Sequence, residues 1–435
     1  MVLKLYILKE TQNKMESITL NRSVPVNGHY DIIVAGGGVA GVAAAVSAAR
    51  LGKSVMLIEK SVSLGGLATI GLVNLFVPMC NGRGTQIIKG MAEELFRLSI
   101  KYGFDTVPEC WKNGEPISGG PRYLTRFSAP VFVLALSEYV KNEGVKVMYD
   151  SLVSHTVMKD KHCCGVVVEN KSGSSFYSAD IFIDTTGDGD VMRLSGMPTT
   201  IGQNYHTMYA YGADLESCRS AADSGNIAKI YKAVSGGTAD LYGNNHPKEM
   251  PLWKGADAES VTNYILSNHI DMLNNIKGDD RVKRDVFCLP TMPQLRTTCH
   301  LNGDAVFSAD NAYKHFDDSI AAICDFDRRD YLYEVSYGVL VKTGYDNIIT
   351  AGRTASAEGY GWDVLRVIPP AIITGQAAGC AAVQAISDGD PIYDIDIKKL
   401  QNTLESQDVM IHFDDSLIPD ESVTDAGSHY DSGEM

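Results

Sequence analysis

Asp31-Ile-Ile-Val-Ala-Gly-Gly-Gly-Val-Ala-Gly-Val-Ala-Ala-Ala-Val-Ser-Ala-Ala-Arg50, followed by Gly52-Lys-Ser-Val-Met-Leu-Ile-Glu59, decides the fold. An apolar run of strand character leads into Gly36, Gly38 and Gly41. An Ala-rich helical stretch follows, then a second apolar run that ends in an acid. Each piece has a task in holding a dinucleotide. Gly36 permits the tight turn, Gly38 lets the backbone approach a pyrophosphate, and Gly41 lets helix and strand pack closely. The start of the helix offers free N–H groups and the positive end of the helix dipole to that phosphate. Glu59, 23 positions after Gly36, is placed to accept from ribose hydroxyls. A glycine turn alone also occurs in ordinary βαβ units. Strands, helix and acid in register make an α/β fold and dinucleotide binding the expectation.

Outward from this unit, a second glycine loop comes first, Leu64-Gly-Gly-Leu-Ala-Thr-Ile-Gly71, where a nicotinamide-dinucleotide domain would continue with another helix and strand. Helical periodicity returns over 86–102 and 129–141. Strands are expected over 144–150, 153–159, 165–170 and 179–184, the last running into Thr185-Thr-Gly-Asp-Gly-Asp190. Residues 205–300 are richer in Asn, Ser, Asp and Lys and less periodic. The nucleotide pattern resumes over 334–340 and at Asn347-Ile-Ile-Thr-Ala-Gly-Arg353, and a helix rich in small residues closes it over 369–387.

Composition narrows the function. The chain has 435 residues, 45% of them hydrophobic and 21% charged, which suits a soluble globular protein of more than one domain. Seven acids and no Lys or Arg follow Phe413. Subtracting them from the net charge of −15 leaves −8 for the rest. No basic face points to nucleic acid, so none is expected as a partner. Residues 413–435 read as an acidic, disordered tail. The nine cysteines have neither CxxC nor zinc spacing. Lys4 and Lys9 interrupt the first apolar run, and no stretch nears the ~18 apolar residues of a membrane span. A cytoplasmic protein with free thiols is the expectation.

These ordered segments resemble the FAD-dependent oxidoreductases of the glutathione-reductase-like fold, in particular a bacterial branch distantly related to fumarate reductase and succinate dehydrogenase flavoproteins. The resemblance runs over 20–200 and 290–390 and is weak between. It implies a Rossmann-like, three-layer FAD-binding domain built from 30–204 plus 291–395. An α+β cap or substrate domain over 205–290 would be inserted in it, with 1–29 as a lead-in carrying one strand.

Carried over by position, the resemblance puts Gly36, Gly38, Val39, Ala40 and Gly41 on the FAD pyrophosphate. Glu59 and Lys60 then hold the adenosine ribose, and Gly66, Leu67, Ala68 and Thr69 lead towards the flavin. Val153 offers backbone groups to the adenine edge, and Thr186, Gly187 and Asp188 close over the adenosine side. Gly352 and Arg353 return to the pyrophosphate and ribityl chain. Val367 and Ile368 start a helix under the flavin ring, where the helix dipole stabilises the negative charge of the reduced ring. Pro369 and Pro370 suit a first helical turn. The bland reading of that stretch is a packed core helix.

Departures from the pattern sharpen it. The loop after Gly66 lacks the His that links FAD covalently in the succinate dehydrogenase group, so non-covalent FAD is expected. There is no redox CxxxxC and no second glycine fingerprint for NAD(P)H. For catalysis the candidates are Tyr360 and Arg366 in a loop near the flavin, Arg296 and His300 before the chain returns to the FAD domain, and Cys80. Three have a stated structural alternative: loop packing for Tyr360, an ion pair for Arg366, a plain thiol for Cys80. The expected activity is hydride exchange between flavin N5 and a small organic substrate, dehydrogenation of an alcohol or sugar-like polyol ahead of double-bond reduction. A flavoprotein that passes electrons to a separate donor or acceptor is the second class, and a nucleotide binder without redox chemistry the third.

Overall fold

The computed structural model describes residues 21–420. The start of the lead-in (1–20) and most of the acidic tail (421–435) lie outside the described residues. Five mutually parallel strands form the centre. Val26–Ala35 is flanked by Val55–Ile58 and Gly173–Asp184, with Lys146–Met148 outside the one and Ile348–Thr350 outside the other. The first strand is longer than expected, because Val26–Tyr30 also pairs with Phe176–Ala179. The lead-in thus contributes directly to the sheet.

The strand Gly173–Asp184 divides its outer edge. Its last residues, Phe182–Asp184, pair in parallel with Ile348–Thr350, and its first, Gly173–Tyr177, pair antiparallel with His162–Asn170. That strand in turn pairs antiparallel with Leu152–Lys159. Parallel strands buried on both faces read as unbroken apolar runs, as Ile32-Ile33-Val34 and Val55-Met56-Leu57-Ile58 do. Alternation then sorts the two faces. Ile32, Val34, Leu57, Ile181 and Ile183 pack against helices. Ile33, Met56, Ile58 and Phe182 pack against Val153, Val166 and Val168 of the antiparallel ladder. The result is three layers.

On the helical face lie Val39–Arg50, Met91–Ile100, Ala129–Asn142 and Ile368–Asp388. The first and last of these approach very closely. A Cβ on Gly375 would stand 2.2 Å from the Ala40 carbonyl oxygen, and one on Gly379 2.4 Å from that of Ala44. Eighteen residues of the closing helix are buried. The expected periodicity over 86–102 resolves into the helix Met91–Ile100, and Gly90 with φ 58° starts it late.

Three placements differ from the sequence reading. Residues 334–340 do not join the parallel sheet: Leu332–Ser336 pairs with Ser319–Cys324 in a separate hairpin. Residues 360–366 are not a loop but most of a short helix, Gly359–Leu365, since Glu358 and the glycines at 359 and 361 allow a turn packed on Phe307 and Ser308. The start of the acidic tail is ordered. Phe413 is buried, Asp415–Leu417 forms a 3-10 turn, and Asp415 reaches His315.

Between the two halves of the sheet, Thr207–Asp214 pairs antiparallel with Lys232–Thr238 and Arg284–Cys288. The helix Ala258–Ile276 packs there through Tyr264 and Met272 on Met208, Ala210 and Trp253. Among the described residues no single helix is long and apolar enough to cross a membrane. The pair Gly359–Leu365 and Ile368–Asp388 is apolar enough together, but it is bent by 78° and the second helix is core.

Candidate functional site

The carboxyl ends of the parallel strands, Ala35, Ile58, Met148, Asp184 and Thr350, converge, and such ends are where open α/β sheets bind ligands. Four of the glycine segments singled out in the sequence meet here. Gly36 has φ 100° and lies against Thr185 and Thr186; a Cβ would stand 2.4 Å from the Thr185 carbonyl oxygen. A Cβ on Gly41 would fall 1.8 Å from the Gly36 carbonyl oxygen. Gly65 donates its N–H to the Gly37 carbonyl at 2.8 Å, which draws Gly66, Leu67, Ala68 and Thr69 alongside the first turn. A Cβ on Gly352 would stand 2.9 Å from that of Ala40, and Gly352 donates its N–H to Thr374 Oγ1 at 3.0 Å.

Gly38 is the exception. A Cβ there would meet no described atom within 4 Å. Gly38 caps the helix Val39–Arg50, and no described side chain satisfies the first-turn N–H groups. An uncapped helix start beside a space that a missing side chain keeps open is what a pyrophosphate needs. The residues present fit a dinucleotide.

Glu59 lies at the end of its strand, buried. Its Oε2 accepts the Gly37 N–H at 2.6 Å and its Oε1 the Ser61 N–H at 2.7 Å. Its first work is thus to hold the glycine turn, with lone pairs left over for a hydroxyl. Val153 is buried on the ladder strand, two residues beyond Ser151, whose N–H donates to the Glu59 carbonyl.

Lys60, Asp188 and Arg353 form one cluster. Asp188 accepts from Lys60 Nζ at 2.8 Å and from Arg353 at 3.2 Å. Buried Arg353 also donates to the carbonyls of Gly187 (2.8 Å) and Leu295 (2.7 Å). Burial works against ionisation of Asp188, yet the two cations hold its pKa below the usual carboxylate value. Both Lys60 and Asp188, read as nucleotide contacts in the sequence, spend charge on each other. Asp184, behind them, accepts from Thr186 (N and Oγ1) and from the Met192 N–H. Complete burial pushes its pKa up to about 6.

The closing helix and the catalytic candidates each have their own partners. Val367 caps the closing helix and Ile368 begins it, with Pro369 and Pro370 in the first turn. Arg366 is tied to Asp363 by two hydrogen bonds to one carboxylate oxygen. Tyr360 donates to Asp325 Oδ1 at 2.7 Å, with Arg328 4.2 Å over its ring and Tyr242 stacked at 6.3 Å. Arg296 donates to the Asp240 carbonyl at 3.0 Å.

His300 is nearly buried; its Nδ1 donates to the Leu301 carbonyl at 2.7 Å and its ring stands edge-on to Trp362. Burial lowers its pKa. Cys80 is fully buried, accepts the Tyr123 N–H at 3.0 Å, and has its thiol pKa raised by burial. A neutral, enclosed thiol is a poor nucleophile.

Other residues at this end went unmarked in the sequence. Gln294 donates to the Gly71 carbonyl at 2.8 Å and accepts from the Tyr209 N–H, roofing the glycine loop with the small sheet. Tyr242 and the turn Asp325–Arg328 gather around Tyr360 from separate segments, and no local pattern announces such a meeting.

The sequence profile of the family described as FAD dependent oxidoreductase matches residues 31–219 and 273–404. No curated protein matches the chain. Among solved structures, a geranylgeranyl bacteriochlorophyll reductase-like protein from Thermoplasma acidophilum is similar at 15% identity, over 87% of this chain and 83% of that one, with a TM-score of 0.38. Mycobacterium smegmatis Sdh1 in complex with UQ1 is similar at 10% identity, over 88% and 73%, with a TM-score of 0.43. A flavocytochrome c3 fumarate reductase in its open conformation is similar at 16%, over 82% and 78%, at 0.37. The profile spans well over half of the chain and carries the assignment: this chain belongs to the FAD-dependent oxidoreductase family, and FAD is its cofactor.

Proposed function

We propose that FAD lies non-covalently across the strand ends and that the protein uses it to oxidise a small organic substrate, an alcohol or sugar-like polyol. The observation that carries the cofactor's placement is the uncapped helix start at Gly38 beside its open space. In this reading Gly36, Val39, Ala40 and Gly41 receive the pyrophosphate. Glu59, Val153, Thr186, Gly187 and Asp188 line the adenosine half, with Lys60 holding Asp188. Gly66, Leu67, Ala68, Thr69, Gly352 and Arg353 guide the chain between the halves. Val367 and Ile368 bring the positive end of a 21-residue helix to the ring. FAD supplies hydride acceptance and donation at that ring when bound.

The chain's own groups supply orientation and proton handling. Residues 205–290 act as the cap over the site, joined to the rest of the molecule as an insertion. Because the Leu301 carbonyl can only accept, His300 Nδ1 carries the proton and Nε2 the lone pair. Held neutral by burial, Nε2 is our candidate acceptor of a substrate hydroxyl proton. The stacked Tyr242 and Tyr360 with Asp325 and Asp327 give an aromatic and carboxylate wall of the kind that recognises hydroxylated rings. Double-bond reduction and electron transfer to a partner protein are the alternatives.

Anaerobic mixing with panels of polyols, hydroxy acids and enoates separates them, read as loss or return of the flavin absorption near about 450 nm. Loss with a polyol supports the proposal; return of colour only with an enoate, after chemical reduction, overturns it. His300→Gln is expected to slow substrate oxidation by roughly 10²–10⁴-fold while leaving FAD bound. Acid precipitation should release the yellow cofactor to the supernatant, and colour retained in the pellet would refute non-covalent binding.

A further inference from the structure

Away from the strand ends, two histidines and two carboxylates meet where the C-terminal segment docks on the Ser319–Cys324/Leu332–Ser336 hairpin. Glu334 projects from the hairpin with its side chain wholly buried. Its Oε2 accepts the Phe316 N–H at 2.7 Å. Its Oε1 faces His315 Nδ1 at 2.5 Å and His412 Nδ1 at 3.0 Å. The three ligand atoms lie within 4.8 Å of one another. On the outer side His315 Nε2 is 2.9 Å from Asp415 Oδ1.

Proton counting shows what this arrangement lacks. A carboxylate only accepts, and a neutral imidazole has one N–H to give. The ring of His315 faces a carboxylate at both nitrogens. With its proton directed to Asp415, Nδ1 presents a lone pair to Glu334 Oε1, so either a second proton on the ring, which the two carboxylates favour, or a metal cation must stand between them. His412 brings a third donor atom to the same point. One dication serves all three at once.

The donor set also has the right chemistry. Two imidazoles and one carboxylate are a known zinc set, with bonds of about 2.0–2.2 Å that put tetrahedral ligand atoms roughly 3.3 Å apart. Modest opening of the 2.5 and 3.0 Å contacts reaches that spacing. A carboxylate on the far nitrogen of a ligating histidine, as Asp415 is to His315, is the usual support that fixes tautomer and ring orientation. Both histidines are about 40% exposed, so the fourth position opens to water.

We propose that His315, Glu334 and His412 form a zinc-class divalent metal site, with Asp415 orienting His315. The site joins the loop before the hairpin to a segment 97 residues further along the chain. It fastens the C-terminal end to the body of the protein. It is independent of the FAD reading.

The test uses tag-free, FAD-loaded protein dialysed against chelator. Zinc titrated in competition with a chromophoric chelator should fill one site per chain. His412→Asn and His315→Asn should each weaken binding by about 100-fold or more, and Asp415→Asn by about 10–100-fold. Zinc should raise the wild-type Tm in a concentration-dependent way and protect the chain after residue 411 from proteolysis, with neither effect in H412N. Because Glu334 is buried, Glu334→Gln is judged only if its flavin spectrum and Tm without zinc match wild type. No stoichiometric binding, binding unchanged in both histidine variants, or docking of the segment that follows histidine protonation but ignores zinc overturns the proposal.

Discussion

Gly38 and Gly41 stand one helical turn apart and answer to different demands. At Gly41 the protein itself forbids a side chain, because a Cβ would fall 1.8 Å from the Gly36 carbonyl oxygen. At Gly38 the protein forbids nothing, with no described atom within 4 Å. Gly41→Ala is therefore expected to cost about 1–3 kcal/mol or more in the FAD-free protein, as overpacking does. Gly38→Ala should change that stability by under about 1 kcal/mol yet weaken FAD at least tenfold, since its methyl group enters the pyrophosphate space. Urea unfolding without FAD and a flavin fluorescence titration give the two numbers.

The cations on Asp188 make a second contrast. Removing buried Arg353 (Arg353→Leu) leaves the Asp188 carboxylate with Lys60 as its one cation and opens two carbonyls, for an expected loss of about 3–5 kcal/mol. Lys60 is about half exposed, and Lys60→Ala should cost no more than about 1 kcal/mol.

Among elements, the contact between Val39–Arg50 and Ile368–Asp388 sets the geometry of the site. Gly375 and Gly379, four apart, form a groove in which the carbonyls of Ala40 and Ala44 lie. Only with helices this close does Gly352 reach Ala40 and the start of the closing helix reach the strand ends. Gly379→Ala pushes the helices apart and should cost about 1–3 kcal/mol, read as a fall in the urea midpoint. The small residues of this helix were visible in the sequence, but their partner was not. The small residues of this helix serve packing, and its start remains available for the ring we propose there.

At the scale of the molecule, the electrostatics of the site set a pH dependence. Asp184 is raised to about 6 by complete burial, above its usual 3.8. The folded state then holds a proton that the unfolded state has released. Stability consequently falls as pH rises from about 4 to about 6, by up to roughly 3 kcal/mol, and is level above that. Urea unfolding across pH 4.5–7 (about the range that matters) should show the slope, and Asp184→Asn should flatten it. The acidic tail contributes differently from the sequence expectation, since its first residues are docked through Phe413 and the Asp415–His315 pair.

The sequence by itself determined the βαβ unit, the order of the glycine segments and the family. These depend on local requirements: a φ that only glycine adopts easily at Gly36, apolar runs buried on both faces, and a helix start without a cap. It also marked most residues that gather at the strand ends. Tertiary structure alone decided what those residues are bound to. Arg366 belongs to Asp363, Lys60 and Arg353 to Asp188, and Cys80 to the core. It likewise decided that residues 334–340 leave the main sheet and that His315, Glu334 and His412 meet. Partners brought together from distant segments leave no periodic trace in a single chain, because pairing of charges and burial of thiols depend on neighbours in space.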